Sequence, residues 1–249
     1  MRIVITGIGV ISSLGCSREA FWEGIREGRS GAGPISAFDT QGFGSRIACE
    51  ARGFVPEDYL DRKRAKRMAR FSQMAASAAV LAARDSGIDL DAYGRDRVGC
   101  VIGSAAGDYE GLTAQYDTLL AKGPTHGNAL AVPRVIPNMA SGNAAIELGV
   151  TGPNIAVLSA CATGAHSIGT AMDLIRLGHA QAMFAGGTES TIVPLVVDSY
   201  DAMRVLSHRN GEPERASRPF DRDRDGFVIG EGACVLVLES YEAASRRGA

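Results

Sequence analysis

Aromatic residues are scarce in this chain: 6% of its residues, with a single tryptophan. A core built from it must rest on small and aliphatic side chains. No uninterrupted apolar run approaches the roughly 20 residues that a membrane span needs. The N-terminus, Met1-Arg2-Ile3-Val4-Ile5-Thr6-Gly7, lacks an apolar region followed by a small-residue cleavage site, which argues against secretion. No excess of one charge exists either. The formal net charge is −2, so nothing global points to nucleic acid or to a membrane surface. The cysteines, Cys16, Cys49, Cys100, Cys161 and Cys234, are odd in number, widely spaced and without a CxxC pair. That pattern excludes a disulfide framework or a zinc site and fits reduced thiols of a cytoplasmic protein. No metal or cofactor is implied.

What is abundant is small. Glycine occurs 31 times in 249 residues, and hydrophobic residues reach 45% against 22% charged. This is the balance of a globular protein, not a disordered one, with elements that pack closely and turn tightly. The length allows one large domain or two small ones.

Short apolar runs alternate with helical patterns. Strands are expected at Arg2–Thr6, Val98–Ile102, Asn154–Ser159, Ala182–Ala185 and Cys234–Leu238. Helices are expected at Ser17–Glu27, Arg62–Ser86, Gly111–Leu120, Val135–Leu148 and Ala162–Leu177, with another starting at Tyr241. Residues 28–58 read as loops with short extended pieces. The alternation predicts an α/β fold, its sheet mostly parallel and covered on both faces. The chain stops at Ala249 beside an apparent helix, with no closing strand, as an interrupted chain would.

The strongest chemical signal is Ile155-Ala156-Val157-Leu158-Ser159-Ala160-Cys161-Ala162-Thr163-Gly164-Ala165-His166-Ser167-Ile168-Gly169. An apolar strand runs directly into Ala-Cys-Ala, and a small-residue helix begins there. A thiol at the positive end of a helix is biased toward thiolate. Small neighbours leave room for a substrate carbonyl. From the spacing alone, an activated nucleophile and a small packed cysteine stand level.

The segment from Gly152 to Ile168 resembles the active-site signature of the β-ketoacyl synthases, the condensing enzymes of fatty-acid and polyketide assembly. The opening strand to Gly15 is similar to that family's first block. Ala216-Ser217-Arg218-Pro219-Phe220-Asp221, with Arg224-Asp225-Gly226-Phe227-Val228-Ile229-Gly230-Glu231-Gly232-Ala233, is similar to its second signature. The order and spacing resemble the synthase II group. The resemblance covers the whole chain and implies a thiolase-like αβαβα fold, of which residues 1–249 are the N-terminal half. It implies that Cys161 accepts an acyl group from acyl carrier protein as a thioester. Malonyl-carrier protein then loses carbon dioxide, and its carbanion attacks that thioester. It implies an oxyanion-hole role for the Cys161 N–H. The two histidines and the lysine that drive decarboxylation belong, by the same resemblance, to a C-terminal half beyond Ala249. His126, His166, His179 and His208 are read as structural or surface residues. His166 lies about 140° round the helix from Cys161 at 3.6 residues per turn.

Six of the nine residues from Arg62 to Arg70 are basic and none is acidic. On one continuous helix Lys63, Lys66, Arg67 and Arg70 would share a face, with Met68, Phe71, Ala75, Ala78 and Ala82 turned inward. A solvated face is the plain reading, and one short stripe on a net-acidic chain is weak support for nucleic acid. The resemblance implies instead that Lys63, Arg64, Lys66 and Arg67, together with Arg204, dock the acidic carrier protein. It also aligns Ala106 and Tyr200 with acyl-pocket positions, where the family pattern carries a larger aliphatic residue and a phenylalanine. A different chain-length preference is therefore expected. Gly7-Ile8-Gly9 after the first strand lacks the third glycine of a dinucleotide-binding loop and reads as a tight turn.

The leading expectation is an acyltransferase that acts as a homodimer in its intact form. A catalytically incomplete fragment that only binds carrier protein or dimerises is the alternative. In either case an apolar face is expected where the missing half would pack.

Overall fold

The computed structural model describes residues 1–249. In chain order its elements are β1 (Ile3–Ile11), α1 (Arg18–Arg26), β2 (Gly33–Pro34), β3 (Ile47–Cys49), α2 (Arg62–Ala65), α3 (Arg70–Ser86), α4 (Leu90–Tyr93), β4 (Val98–Gly103) and α5 (Tyr109–Lys122). There follow α6 (Ala131–Val135), α7 (Met139–Leu148), β5 (Asn154–Ile155), α8 (Thr163–Arg176), β6 (Ala182–Ser190), α9 (Pro194–Ala202), β7 (Ile229–Ser240) and α10 (Tyr241–Arg246). No helix is long and apolar enough to cross a membrane.

One seven-stranded sheet runs β2-β3-β7-β6-β4-β5, with β1 also pairing β7. Helices α3 and α7 cover one face and α8 the other. The three-layer unit expected of one α/β half is therefore present. The main core lies under α3, where Phe71, Met74, Ala75, Ala78 and Ala82 meet Cys100, Ile102, Phe184, Val235 and Val237. On the opposite face Ala171 and Ile175 of α8 pack on Val101, Met183, Ala185 and Leu238. Full burial of each large side chain contributes about 1.5–3 kcal/mol.

The sheet is mixed, not mostly parallel. Strands β4, β5 and β6 are parallel, but β7 is antiparallel to both β6 and β1. Strand β7 follows β6 through α9 and a polar segment instead of a covering crossover helix, so it returns in the opposite direction. Strands buried on both faces read as apolar runs whichever way they point.

The expected tight turn at Gly7-Ile8-Gly9 is also absent, because β1 continues through it to Ile11. A Cβ at Gly9 would stand 1.9 Å from the Ala78 carbonyl oxygen. The glycine lets α3 lie directly on the sheet, and the alanines of α3 complete that approach from the other side.

The single helix expected over Arg62–Ser86 is two. Asp61 caps α2 by accepting from the Lys63 and Arg64 N–H groups, at 3.0 and 3.1 Å. The chain then extends at Ala69 (φ −76°, ψ 160°) before α3 begins. Burial of Met68 against Leu60, Ala65 and Ala76 fixes this break. So does Arg70, whose guanidinium grips Glu231 at 2.6 and 2.7 Å and sits over the Phe54 ring. The predicted inward face of α3 holds, but Arg70 does not share a solvent stripe with Lys63, Lys66 and Arg67.

Candidate active site

Strand β5 pairs with β4 only at Asn154 and Ile155, shorter than the strand expected to Ser159, and residues 156–159 lead without regular structure to the cysteine. Ser159 and Ala160 make the turn. Ala160 is held at φ +50°, a left-handed conformation that a non-glycine residue adopts at a cost of about 1–3 kcal/mol. A single 3-10 turn, Ala160–Ala162, leads directly into α8. The Ser159 N–H donates to Thr163 Oγ1 at 2.9 Å, and the Ala162 N–H to the Ser159 carbonyl at 3.1 Å. These bonds close the turn beneath Cys161 and leave the thiol exposed. The sharp strand-to-helix turn read from the sequence is thus present, with the cysteine two residues before the α-helix.

Cys161 opens onto a cavity of about 540 Å³. Its floor is the end of the sheet. Gly103 of β4 pairs with Gly187 of β6, and Gly187 pairs with Cys234 of β7. A Cβ on Gly187 would come 3.1 Å from the Gly164 Cα, so α8 rests directly on this floor. Val10, Ile11 and Phe21 supply apolar wall, and Tyr200 on α9 closes another side. Tyr200 packs edge-on against Phe227, ring centroids 5.6 Å apart. Cys161 and Tyr200 therefore share one cavity. Ala106 is half-buried and does not line it, whereas its neighbour Ala105 does.

The sequence reading missed two members of this cavity. Glu189, on the same face of β6 as Gly187, is half-buried there, and desolvation raises its carboxyl above the ordinary range. An acid two residues after Gly-Gly at the end of an apolar strand was the available signal. Cys234 also lines the cavity. Desolvation by the surrounding sheet lifts its thiol, as it lifts those of Cys16 and Cys49. Burial pushes Cys100 up to about 12.

No histidine faces Cys161 as a base. The exposed His166 ring bonds Ser159 Oγ at 2.6 Å. His208 is anchored to Asp201 at 2.8 Å. Partial burial opposes the charge of Asp201, but the Ser45 N–H and the His208 ring hold its carboxyl below the usual range. His126 and His179 are exposed. No group of His, Cys, Asp and Glu is arranged to hold a metal ion.

Lys63 and Arg64 lie on α2, and Lys66 and Arg67 lie in the turn that follows, all four exposed. Arg64 pairs with Glu147 of α7 at 3.1 Å. Arg204 is exposed one turn beyond Tyr200, at φ +57°. Exposed apolar side chains gather near the β5 edge of the sheet: Ile146, Ile155 and Leu158 are 60%, 44% and 53% accessible.

Comparison with known proteins yields a consistent set of likenesses. The family described as "Beta-ketoacyl synthase, N-terminal domain" matches residues 1–244. The 3-oxoacyl-[acyl-carrier-protein] synthase 2 of Synechocystis sp. is 44% identical over 248 residues, covering 100% of this chain and 60% of that protein. The ishigamide ketosynthase/chain length factor superposes with a TM-score of 0.90 at 35% identity, covering 100% of this chain and 60% of that one. A type II PKS acyl-carrier protein in complex with its ketosynthase, bound to the hexaketide, gives 0.84 at 30% identity, with the same coverage. The chain thus spans about three-fifths of the length of the relatives it matches.

Proposed function

We propose that this chain, which belongs to the β-ketoacyl synthase family, carries the acyl-accepting nucleophile of a β-ketoacyl-acyl-carrier-protein synthase, and that Cys161 is that nucleophile. Its fold is thiolase-like, and residues 1–249 form the N-terminal half. The observation that carries the reading is the geometry of Cys161. An exposed thiol stands on a strained turn at the start of α8, over a largely apolar cavity.

The Cys161 thiolate attacks the carbonyl of an acyl thioester on acyl carrier protein, and the carrier thiol leaves. The acyl chain then occupies the cavity beside Tyr200. The Cys161 N–H stands at a helix start, where the first N–H groups lack intrahelical acceptors. It would donate to the oxyanion of the tetrahedral intermediate. Malonyl-carrier protein loses carbon dioxide, and the carbanion attacks the Cys161 thioester carbonyl. The β-ketoacyl product departs on the carrier and Cys161 returns as thiolate. Residues of a C-terminal half supply the decarboxylation machinery in this reading.

Three further assignments belong to it. Lys63, Arg64, Lys66, Arg67 and Arg204 dock the acidic carrier protein. Ala106, outside the Cys161 cavity of the single chain, tunes acyl length across an assembled pocket. The intact protein is a cytoplasmic homodimer, an idea supported by the unpaired edge of β5, with Ile155 on it and Leu158 just after it both exposed.

The decisive experiment alkylates the chain with iodoacetamide at neutral pH and follows each cysteine by peptide mass spectrometry. Cys161 is expected to react about 10-fold or more faster than the other four. A rate no faster than theirs would sink the nucleophile and leave the carrier-binding or dimerisation module as the better reading.

A further inference from the structure

Two carboxylates line the Cys161 cavity: Glu231 is held by Arg70, and Glu189 is the one with no cationic partner and no part in the acyl-transfer chemistry. Its carboxylate faces a loop. One oxygen accepts from Ser104 Oγ at 2.9 Å, and the other accepts from the Ala105 N–H at 2.8 Å. Ser104 Oγ in turn accepts from the Gly107 N–H at 3.0 Å. These bonds fold Ser104–Gly107 into a compact turn immediately after β4. The two ends of the brace sit on elements fixed by other packing. Glu189 follows Gly187, which bears on Gly164 of α8. Ser104 follows Gly103, where a Cβ would stand 2.3 Å from Thr163 Cγ2 and 2.4 Å from the Val157 carbonyl oxygen. Ala105, between them, is cavity wall.

We propose that Glu189 is a positioning residue that sets acyl-chain selectivity by bracing the Ser104–Gly107 loop as a wall of the Cys161 cavity. This rests on the reading of Cys161 as the acyl-accepting thiol. The brace needs a side chain long enough to accept from the Ala105 N–H and to meet the Ser104 hydroxyl, which a carboxylate does fully, an amide does in part and an alanine does not. Without it the Ala105 N–H and the Ser104 hydroxyl lose their partner, and the wall relaxes toward solvent. An apolar probe that must lie along the wall then loses contact, whereas a small electrophile does not depend on it.

The test compares alkylation of Cys161 by dodecyl-iodoacetamide with that by unsubstituted iodoacetamide, site by site, in the wild-type chain, Glu189→Ala and Glu189→Gln. Glutamine keeps an acceptor for the Ala105 N–H, and Ser104 Oγ remains bonded by Gly107. The long-to-short rate ratio is expected to fall about 10-fold in Glu189→Ala, the size expected when a hydrophobic pocket loses fit to a chain. Glutamine should retain most of it. An unchanged ratio in a folded Glu189→Ala protein would overturn the brace, as would equal loss of both rates, or a glutamine variant as impaired as alanine. Should Glu189→Ala not fold, Ser104→Ala removes one strut from the loop side. Its ratio should fall about 3-fold by the same fit argument, and an unchanged ratio overturns the proposal. If Cys161 itself reacts no faster than the other cysteines, the nucleophile reading fails, a result separate from any change in this ratio.

Discussion

Arg70 and Glu231 are joined by two parallel hydrogen bonds, 2.7 Å from Nε and 2.6 Å from Nη2. Glu231 also accepts from the Ala51 N–H at 2.9 Å, so the pair ties the start of α3 to β7 and to the segment after β3. The Glu231 side chain is only 6% accessible and Arg70 33%. Removing the arginine leaves a carboxylate with little water, one backbone donor and the Ser190 hydroxyl at 3.3 Å. Arg70→Ala is expected to destabilise the fold by about 3 kcal/mol, the low end for a broken buried pair because Arg70 is partly solvated. Urea unfolding followed by circular dichroism measures it. A loss as small as that of an exposed pair would show that the ion pair is incidental.

The close approach of α3 to β1 makes a second prediction. Gly9→Ala drives a methyl group against the Ala78 carbonyl and the Ala82 N–H, the latter 2.7 Å away, and neither can yield without moving the helix. Overpacking of this kind costs about 1–3 kcal/mol or more. The melting temperature should drop well below that of Gly28→Ala, where nothing stands within 4 Å of the new Cβ and only the positive φ of +67° resists.

These two residues also show what was legible in the sequence and what was not. The apolar face of α3 was readable because Phe71, Ala75, Ala78 and Ala82 keep helical spacing, whereas Met68 lies before the break and packs separately. The break before Arg70 was not, because no proline or glycine marks it and the cause, Glu231, lies 161 positions away in the chain. Gly9 looked like punctuation after a strand. Its real partner is Ala78, a contact that local pattern does not encode. The exposed turn that carries Cys161 was legible because strand, cysteine and helix are contiguous in the chain. Glu189 and Cys234 were not, since strand pairing alone brings β6 and β7 beneath the thiol.

A buried cluster at the other end of β7 predicts the pH dependence of stability. Glu239 is fully buried and accepts from Arg247, at 2.6 and 2.9 Å, and from Thr6 and Tyr93. Desolvation would raise its pKa, but these bonds outweigh that and hold its carboxyl below the ordinary value. A depressed carboxylate contributes stability above its unfolded pKa that is lost as pH falls through the folded one. Tyr93 moves the other way. Burial, then its bond to Glu239, raises its phenol from 10.0 to about 12, so its contribution is present below pH 10 and is lost as pH rises through 12. The stability difference between wild type and Arg247→Ala should be largest near neutrality and shrink in acid. Tyr93→Phe should remove part of the alkaline loss. Denaturant titrations across pH check both, and an Arg247→Ala difference that stays constant into acid would refute the assignment.

The exposed basic residues divide into two kinds, and carrier-protein binding should separate them. Lys66 and Arg67 extend from the turn between α2 and α3 without a carboxylate within ion-pair reach, whereas Arg64 holds Glu147, whose side chain is 15% accessible. Attraction between an exposed cationic patch and an acidic partner mainly speeds encounter and falls with salt. Charge reversal of Lys66 and Arg67 together should therefore slow association with acyl carrier protein by about 10-fold at low ionic strength, with the deficit closing as salt is added. Thermal stability should hardly move, since substitutions on an open surface typically change it by less than about 0.5 kcal/mol. Arg64→Glu should act differently. It places two carboxylates together at α7, so it should lower the melting temperature as well as the association rate. Stopped-flow association rates across a salt series, paired with melting curves, distinguish the two. An association rate for the Lys66/Arg67 variant equal to wild type at low salt would exclude this turn from the docking surface, and carrier binding would then have to rest on Lys63, Arg64 and Arg204.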